Sequence, residues 1–219
     1  MKLARLVYEA IRDAIEFPSG FNYEGFIRGD FDPDRDFSTQ ISFAFNYVNL
    51  AFARLRSEHK LLLKLAKKAS DANGYIAFDE GEVTAVTTSK DRDYRRVQFK
   101  EWIDGIAVEG AYVQKVLYIE YLPAIPHFDL DSIRDQSLDD DNEETYVGVD
   151  VDLKDYGITD EMCAYVKEYV KGGLLEYLSP ELSQRHIQMA EAYFSGLKTR
   201  YTSFPQREVE NRYGSGGAW

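Results

Sequence analysis

The spacing of apolar residues changes twice along this chain, and that change limits the folds it can adopt. Residues 2–16 and 38–69 place apolar side chains three and four positions apart, which predicts amphipathic helices. Residues 75–122 hold short runs rich in β-branched and aromatic residues, which predict strands. Helical spacing returns after residue 159. We therefore expect an α+β protein, mainly a helical bundle formed by both chain ends, with an inserted small antiparallel β domain and an extended C-terminal arm.

The second helix is predicted to be long and one-sided. Ser38 can cap its start, and residues 71–74 are expected to end it at about Ala69, with a break near Ser57 as the alternative. Its apolar stripe is Ile41, Phe45, Val48, Phe52, Leu55, His59, Leu62 and Ala66. Within the predicted β domain, Asp104-Gly105 has the composition of a two-residue hairpin turn. Residues 112–122 are the strongest strand candidate.

Two further helices are predicted near the C-terminus, joined by a short turn. Thr159 or Asp160 can cap the first helix, and Ser179-Pro180 places a cap before a proline at the first position of the second. The apolar stripe of the last helix is Leu182, His186, Met189, Tyr193 and Leu197. The predicted boundaries are 1–70 for the N-terminal helical part, 71–128 for the β domain, 129–158 for an acidic connector, 159–198 for a helical hairpin that completes the bundle, and 199–219 for the arm.

Composition restricts the class of protein. The 219 residues carry a formal net charge of -12, so the chain repels nucleic acid unless a local basic patch overrides that charge. The single cysteine, Cys163, excludes an intrachain disulfide and fits a reducing compartment. The 16 Tyr and 13 Phe residues are typical either of contact surfaces or of half-buried strands.

No sequence motif indicates catalysis or a cofactor. The three histidines are His59, His127 and His186. His59 and His186 fall on apolar helical stripes, which favours positions in the core or in a seam between helices. Cys163 lies near a predicted helix start, but two acidic residues just before it oppose formation of a thiolate. We expect that the chain is not an enzyme and needs no cofactor.

The best candidate for a metal site is a run of alternating aspartates. They are Asp30, Asp32, Asp34 and Asp36. Alternating aspartates resemble the first half of a calcium-binding loop. However, Arg35 stands where the turn glycine belongs, and Ile41 stands where the closing glutamate belongs. A solvated turn is the preferred interpretation, so no metal site is predicted, and a calcium titration would test the alternative.

Charge is segregated along the chain. From residue 129 to residue 160, twelve acidic residues stand against only two basic ones, while the second half of the predicted long helix carries six basic residues against one acidic residue. Opposite blocks of charge attract over about 10 Å at moderate salt. They can pair within one chain or between copies, or they can be two solvated faces. The predicted subunit contacts are Arg54, Arg56, Lys60, Lys64, Lys67, Lys68, Asp139, Asp140 and Asp141.

The arm combines arginine with aromatic residues. From residue 199 onward it carries three arginines against two glutamates, although the chain as a whole is acidic. Arginine and aromatic side chains are the residues that dominate binding hot spots. An extended segment of this kind can lie in a groove or add to a sheet edge of another chain, whereas the alternative is a flexible tail. The predicted partner-binding residues are Arg200, Tyr201, Phe204, Arg207, Arg212, Tyr213 and Trp219.

Several of these features together resemble a known family. They are the helical bundle with its β insert, the strand-to-proline passage VLYIEYLPAIPHFD, the predicted helical hairpin of residues 162–198, and the arm. This combination resembles the head-to-tail connector (adaptor) proteins of tailed bacteriophages over residues 1–16, 38–69 and 112–219. The long acidic connector departs from the compact members of that family.

The resemblance implies a structural role in the phage particle. Such proteins form a ring of identical subunits, with twelve copies when assembled, under the portal protein. The C-terminal arm docks into the portal, and DNA passes through the ring without specific binding. The expected location is therefore the neck of the virion, after synthesis in the host cytoplasm. A stopper or tail-completion ring of the same neck is one alternative, and a soluble small-ligand-binding or enzymatic domain is another.

Overall fold

The computed structural model describes residues 1–15, 22–28, 37–58, 61–89, 95–138, 144–149 and 151–202. The helices in these ranges are α1 (Leu3–Ala14), α2 (Tyr23–Arg28), α3 (Phe37–Ser57), α4 (Asp160–Leu175) and α5 (Pro180–Thr202). The strands are β1 (Lys64–Ala69), β2 (Tyr75–Ala77), β3 (Gly81–Thr87), β4 (Phe99–Trp102), β5 (Gly105–Val108), β6 (Val116–Pro123), β7 (Arg134–Leu138) and β8 (Glu144–Gly148). The predicted α+β class is confirmed.

The chain divides into two compact units. The helical unit contains Met1–Ser57 together with Pro126–Arg200, and the β unit contains Glu58–Ile125. The β unit thus interrupts the sequence of the helical unit. The helical unit also holds the β7–β8 hairpin, whose strands pair antiparallel with Arg134 opposite Gly148. Part of the predicted acidic connector is therefore regular structure.

Helix α4 is the centre of the helical unit, and both α1 and α3 pack against it. The predicted cap is confirmed, since the Thr159 hydroxyl accepts a hydrogen bond from the Met162 backbone N–H at 3.3 Å. Buried residues cover most of its circumference, and Tyr165 is the largest fully buried side chain. Because residues are buried around most of its circumference, α4 lies inside the helical unit.

Two adjacent glycines of α4 let its neighbours approach closely. A methyl group on Gly172 would lie 2.5 Å from Ile187 of α5, and one on Gly173 would lie 2.5 Å from the Tyr47 ring of α3. The Ser183 hydroxyl of α5 also donates to the Gly172 carbonyl at 2.7 Å. Small residues at these two positions therefore set the spacing of three helices.

The predicted long helix is wrong beyond residue 57. Helix α3 ends at Ser57, and Lys64–Ala69 forms β1, which pairs antiparallel with β6 from Lys64 opposite Tyr121 to Ala69 opposite Val116. The apolar residues after Ser57 happen to continue the helical spacing. Pairing with a strand distant in sequence decides the conformation here, as it often does for segments of mixed propensity.

The β unit consists of two three-stranded antiparallel sheets, in the orders β1-β6-β3 and β2-β5-β4. The segment just before β4 joins them, because the Val97 backbone N–H donates to the Val86 carbonyl at 2.8 Å before the chain enters β4. Both sheets contribute to one apolar core that includes Ile76, Ile106 and Ile119. The predicted hairpin is present, but its two-residue loop is Ile103-Asp104, since Trp102 pairs with Gly105.

The tight contact at Gly173 generates a test. Replacing Gly173 by alanine should lower the free energy of unfolding by about 1–3 kcal/mol, because the new methyl group forces the Tyr47 ring out of place. Urea denaturation measures the change. The matched control is Gly196→Ala on α5, where nothing lies within 4 Å of the added methyl group. That variant should gain about 0.5–1 kcal/mol, the usual advantage of alanine over glycine inside a helix. Equal effects at both positions would contradict the close approach.

Candidate interaction surface

The apolar stripe of α5 is largely exposed. Its predicted members Leu182, Met189 and Tyr193 are 47%, 38% and 45% exposed, whereas Leu197 is buried. The side chains that α5 buries are centred elsewhere on its circumference, at Ser183, Ala190, Phe194 and Leu197. The stripe therefore lies at the edge of the buried face of α5, and not at the centre of that face.

The turn before α5 extends this apolar surface. Tyr177 and Leu178, which connect α4 to α5, are both exposed. We name the exposed set Tyr177, Leu178, Leu182, Met189 and Tyr193 the α5 stripe. A run of large apolar side chains over about three turns of α5, extended by two in the preceding turn, marks a protein-contact site more often than an ordinary surface.

A shallow groove adjoins the end of the α5 stripe that is nearest the arm. It has a volume of about 450 Å³ and lies between the start of α4 and the end of α5. Its walls are small or apolar at Ala164, Tyr193, Gly196 and Leu197. At its rim, Glu161 of α4 forms an ion pair with Arg200 of α5. The groove is thus apolar inside and charged at its edge.

Helix α3 exposes a second apolar pair in the same unit. Phe43 and Leu50 are exposed and stand seven positions apart, so they lie on one face of the helix. Tyr47 stands between them, and its hydroxyl donates to the Glu176 carboxylate at 3.2 Å. Burial and the nearby Glu176 charge raise the pKa of Tyr47. This α3 pair is separate in sequence from the α5 stripe.

Arg54 holds α3 against α5. Its guanidinium donates to both carboxylate oxygens of Glu191 and lies 4.3 Å from the centre of the Phe194 ring. The hydrogen bonds that Arg54 donates to Glu191 raise the pKa of Arg54, and the same bonds lower the pKa of Glu191. Arg54 was predicted as a subunit contact, but in this structure its partner belongs to the same chain.

A network of charged side chains crosses α1, α4 and α5. Lys167 of α4 lies 3.2 Å from a Glu9 carboxylate oxygen and 2.9 Å from an Asp13 carboxylate oxygen of α1. Lys171 links Asp13, at 3.4 Å, to Glu168, at 2.9 Å. The network therefore ties α1 to α4, the central helix of the helical unit.

His186 connects this network to the α5 stripe. Its Nδ1 atom lies 2.7 Å from a Glu168 carboxylate oxygen, and the ring occupies the stripe position between Leu182 and Met189. Burial would raise the pKa of Glu168, but hydrogen bonds to His186 and Lys171 outweigh it and hold that pKa below its ordinary value. The prediction that His186 occupies a seam between helices agrees with this contact.

The other predicted subunit contacts do not lie on one helical face. Arg56 lies on α3, whereas Lys64, Lys67 and Lys68 lie on β1, where Lys68 pairs with Glu80 at 2.8 Å. The predicted basic helix face is therefore wrong, because the helix ends before these lysines. Lys60, Asp139, Asp140 and Asp141 lie outside the described residues.

Helix α5 extends past the predicted start of the arm at residue 199. Helix α5 continues to Thr202, so Arg200 and Tyr201 belong to its last turn. The predicted partner-binding residues Phe204, Arg207, Arg212, Tyr213 and Trp219 lie outside the described residues. The described part of the arm is thus a continuation of the helix that carries the α5 stripe.

Within the described residues, the structure does not single out any candidate for catalysis or metal binding. Cys163 is buried, and burial raises the pKa of its thiol to about 11, so it is a poor nucleophile. Within the described ranges, no group of three or more His, Cys, Asp or Glu residues is placed to hold a metal ion. The aspartates of residues 30–36, and His59, lie outside those ranges. None of the described helices is both long and apolar enough to cross a membrane.

No protein-family model matches this chain, and a search of curated proteins finds no similar sequence. The function must therefore be argued from the surfaces themselves.

The charged network generates a test of acid stability. The folded-state pKa of Glu168 lies below its ordinary value of 4.5, so its contribution is complete at neutral pH and is lost as the pH falls through the folded-state pKa. Replacing Glu168 by glutamine should lower the free energy of unfolding at neutral pH by about 1–3 kcal/mol. The difference from the unmodified protein should shrink only in buffer below pH 4.5, as the pH falls toward the folded-state pKa. Urea denaturation at the two pH values measures both effects.

The matched control is Glu181→Gln, which removes an exposed carboxylate from the first turn of α5. It should change stability little at either pH. A Glu168→Gln variant that behaves like this control would show that the network contributes nothing to stability.

Proposed function

We propose that this chain is a structural subunit of a phage neck, an adaptor that joins the portal to the tail and lets DNA pass through a ring of identical copies. The observation that carries the proposal is the α5 stripe, which leads along one helix to the point where the arm starts. A protein of this kind needs a lateral contact with its neighbours and an end-on contact with its partner. The stripe and the arm are well suited to these two roles.

The lateral contact is assigned to the α5 stripe and the α3 pair. Rings are built by heterologous contacts, in which one patch of a subunit meets a different patch of the next. The helical unit carries two such apolar patches, one with Met189 and Tyr193 and one with Phe43 and Leu50. A neighbouring copy that packs on these two patches would bury their exposed apolar side chains.

The end-on contact is assigned to the arm. Its proposed portal-binding residues are Arg200, Tyr201, Phe204, Arg207, Arg212, Tyr213 and Trp219. The ion pair of Arg200 with Glu161 joins two exposed side chains, and such pairs contribute at most about 1 kcal/mol. Arg200 can therefore exchange this partner for one on the portal at little cost.

Removal of the arm tests the end-on contact. A chain that ends at Thr202 keeps all of α5 and should fold normally, as circular dichroism and thermal unfolding would verify. It should no longer co-sediment with tailless, DNA-filled heads of the phage that encodes it. The full chain should bind these heads at a saturating ring stoichiometry. Equal binding by the shortened chain would refute the assignment of the arm, and no binding by either chain would refute the adaptor proposal.

Charge placed on the α5 stripe tests the lateral contact. The double variant Met189→Glu and Tyr193→Glu should reduce the number of copies bound per head at saturation, because both side chains would have to be buried between subunits. The matched control is Gln184→Glu with Gln188→Glu, which adds the same charge at two exposed polar positions of α5. The control should assemble normally. Unchanged assembly by both variants would exclude the stripe from the ring contact.

A further inference from the structure

One face of the β unit differs in charge from the rest of the chain. In residues 95–100, Val97 is buried and Phe99 is half-buried, while the alternate side chains Arg96, Gln98 and Lys100 are exposed. The segment is held extended, with Arg96 bridged to Thr87 of β3 and Lys100 paired with Ala107 of β5. Because side chains alternate across a strand, these three exposed residues share the outer face.

The outer face continues to an exposed aromatic residue. Trp102 stands two positions after Lys100 on β4, so it lies on the same face, and it is 65% exposed. The row from Arg96 to Trp102 spans six residue steps, or about 20 Å. We name Arg96, Gln98, Lys100 and Trp102 the β4 face.

A groove of about 700 Å³ runs beside this row. Its lining includes the run from Arg96 to Lys100, together with Ala107 of β5, Glu109 just after β5, and Tyr112. Ala107 pairs with Lys100, and its small side chain leaves space at the bottom of the groove. The groove therefore offers cations along one wall and an aromatic ring at Tyr112.

The cations of the β4 face are available to a ligand. Arg96 forms no ion pair within the part of the chain that the structure describes. Lys100 pairs with Glu109 at 2.9 Å, but both side chains are more than 70% exposed, and such pairs are readily exchanged.

The distribution of charge in the sequence favours an anionic ligand here. Residues 90–100 hold five basic and two acidic residues. Residues 58–125 are nearly balanced, with ten basic and eleven acidic residues, whereas the two stretches of the helical unit hold 14 basic and 25 acidic residues. The excess negative charge, which repels nucleic acid, is thus concentrated in the helical unit.

We propose that the β4 face binds single-stranded nucleic acid. Arg96 and Lys100 would contact phosphates, and Trp102 would stack on a base. A charged groove with aromatic side chains along it is the arrangement by which sheet surfaces hold single strands without sequence preference. An acidic protein segment would use the same cations but gains nothing specific from an exposed indole ring. This inference goes beyond the adaptor proposal and does not depend on it.

Fluorescence anisotropy of a labelled oligothymidylate titrated with the full-length chain at low salt tests the proposal. The unmodified protein should bind, and the arginine variant, Arg96→Glu with Lys100→Glu, should abolish most of the binding. The dependence of log affinity on log salt should flatten by about 1.4, since each phosphate that a cation neutralises on a single strand adds about 0.7 to the slope. Trp102→Ala should weaken binding by about 5- to 100-fold, the usual range for removal of one stacked base.

The matched control is Lys67→Glu with Lys115→Glu, which changes the charge equally at two exposed lysines of the β unit outside the β4 face. It should bind nearly as well as the unmodified protein. The proposal is overturned if the unmodified protein does not bind the oligonucleotide, or if the control loses as much affinity as the arginine variant. It is also overturned if polyglutamate binds in an arginine-dependent way while the oligonucleotide does not, or if a duplex binds more tightly than the single strand. Because no phage head is involved, failure here leaves the adaptor proposal untouched.

Discussion

The helical unit depends on two adjacent glycines in its central helix. Gly172 admits Ile187 of α5 on one side, and Gly173 admits the Tyr47 ring of α3 on the other. Each glycine inside a helix costs up to about 1 kcal/mol relative to alanine, so this local cost is offset by closer packing. This packing fixes the position of α5. In that position the α5 stripe lies at the surface, and His186 contacts Glu168.

The elements that sequence predicted correctly are those encoded locally. The Thr159 cap and Pro180 at the start of α5 are signals that act within one helical turn, and both helices begin where these signals stand. Strand β1 was missed because residues 58–69 continue the helical spacing of α3. The conformation of Lys64–Ala69 is decided by pairing with β6, about fifty residues later, and no local pattern contains that information.

The candidate surface could be predicted only in part. The spacing of Leu182, Met189 and Tyr193 identifies an apolar stripe, but spacing alone does not distinguish a stripe in a core from one on a surface. Likewise, the basic residues from Arg54 to Lys68 were predicted to share one helical face only because the helix was expected to continue beyond Ser57. The β4 face escaped notice because its members alternate with Val97 and Phe99, and their common orientation becomes visible only once the segment is known to be extended.

The interruption of the helical unit by the β unit has a consequence for biosynthesis. Helices α1 and α3 pack on α4, whose first residue is made about one hundred residues after α3 ends. The β unit is complete in sequence before that point, so it can fold on the ribosome while the first helices still lack their central partner. The apolar faces of α1 and α3, with buried residues such as Leu6 and Val48, then stay uncovered during that interval. Chaperone dependence of the nascent chain should therefore arise from its N-terminal quarter, even though the last helices complete the fold.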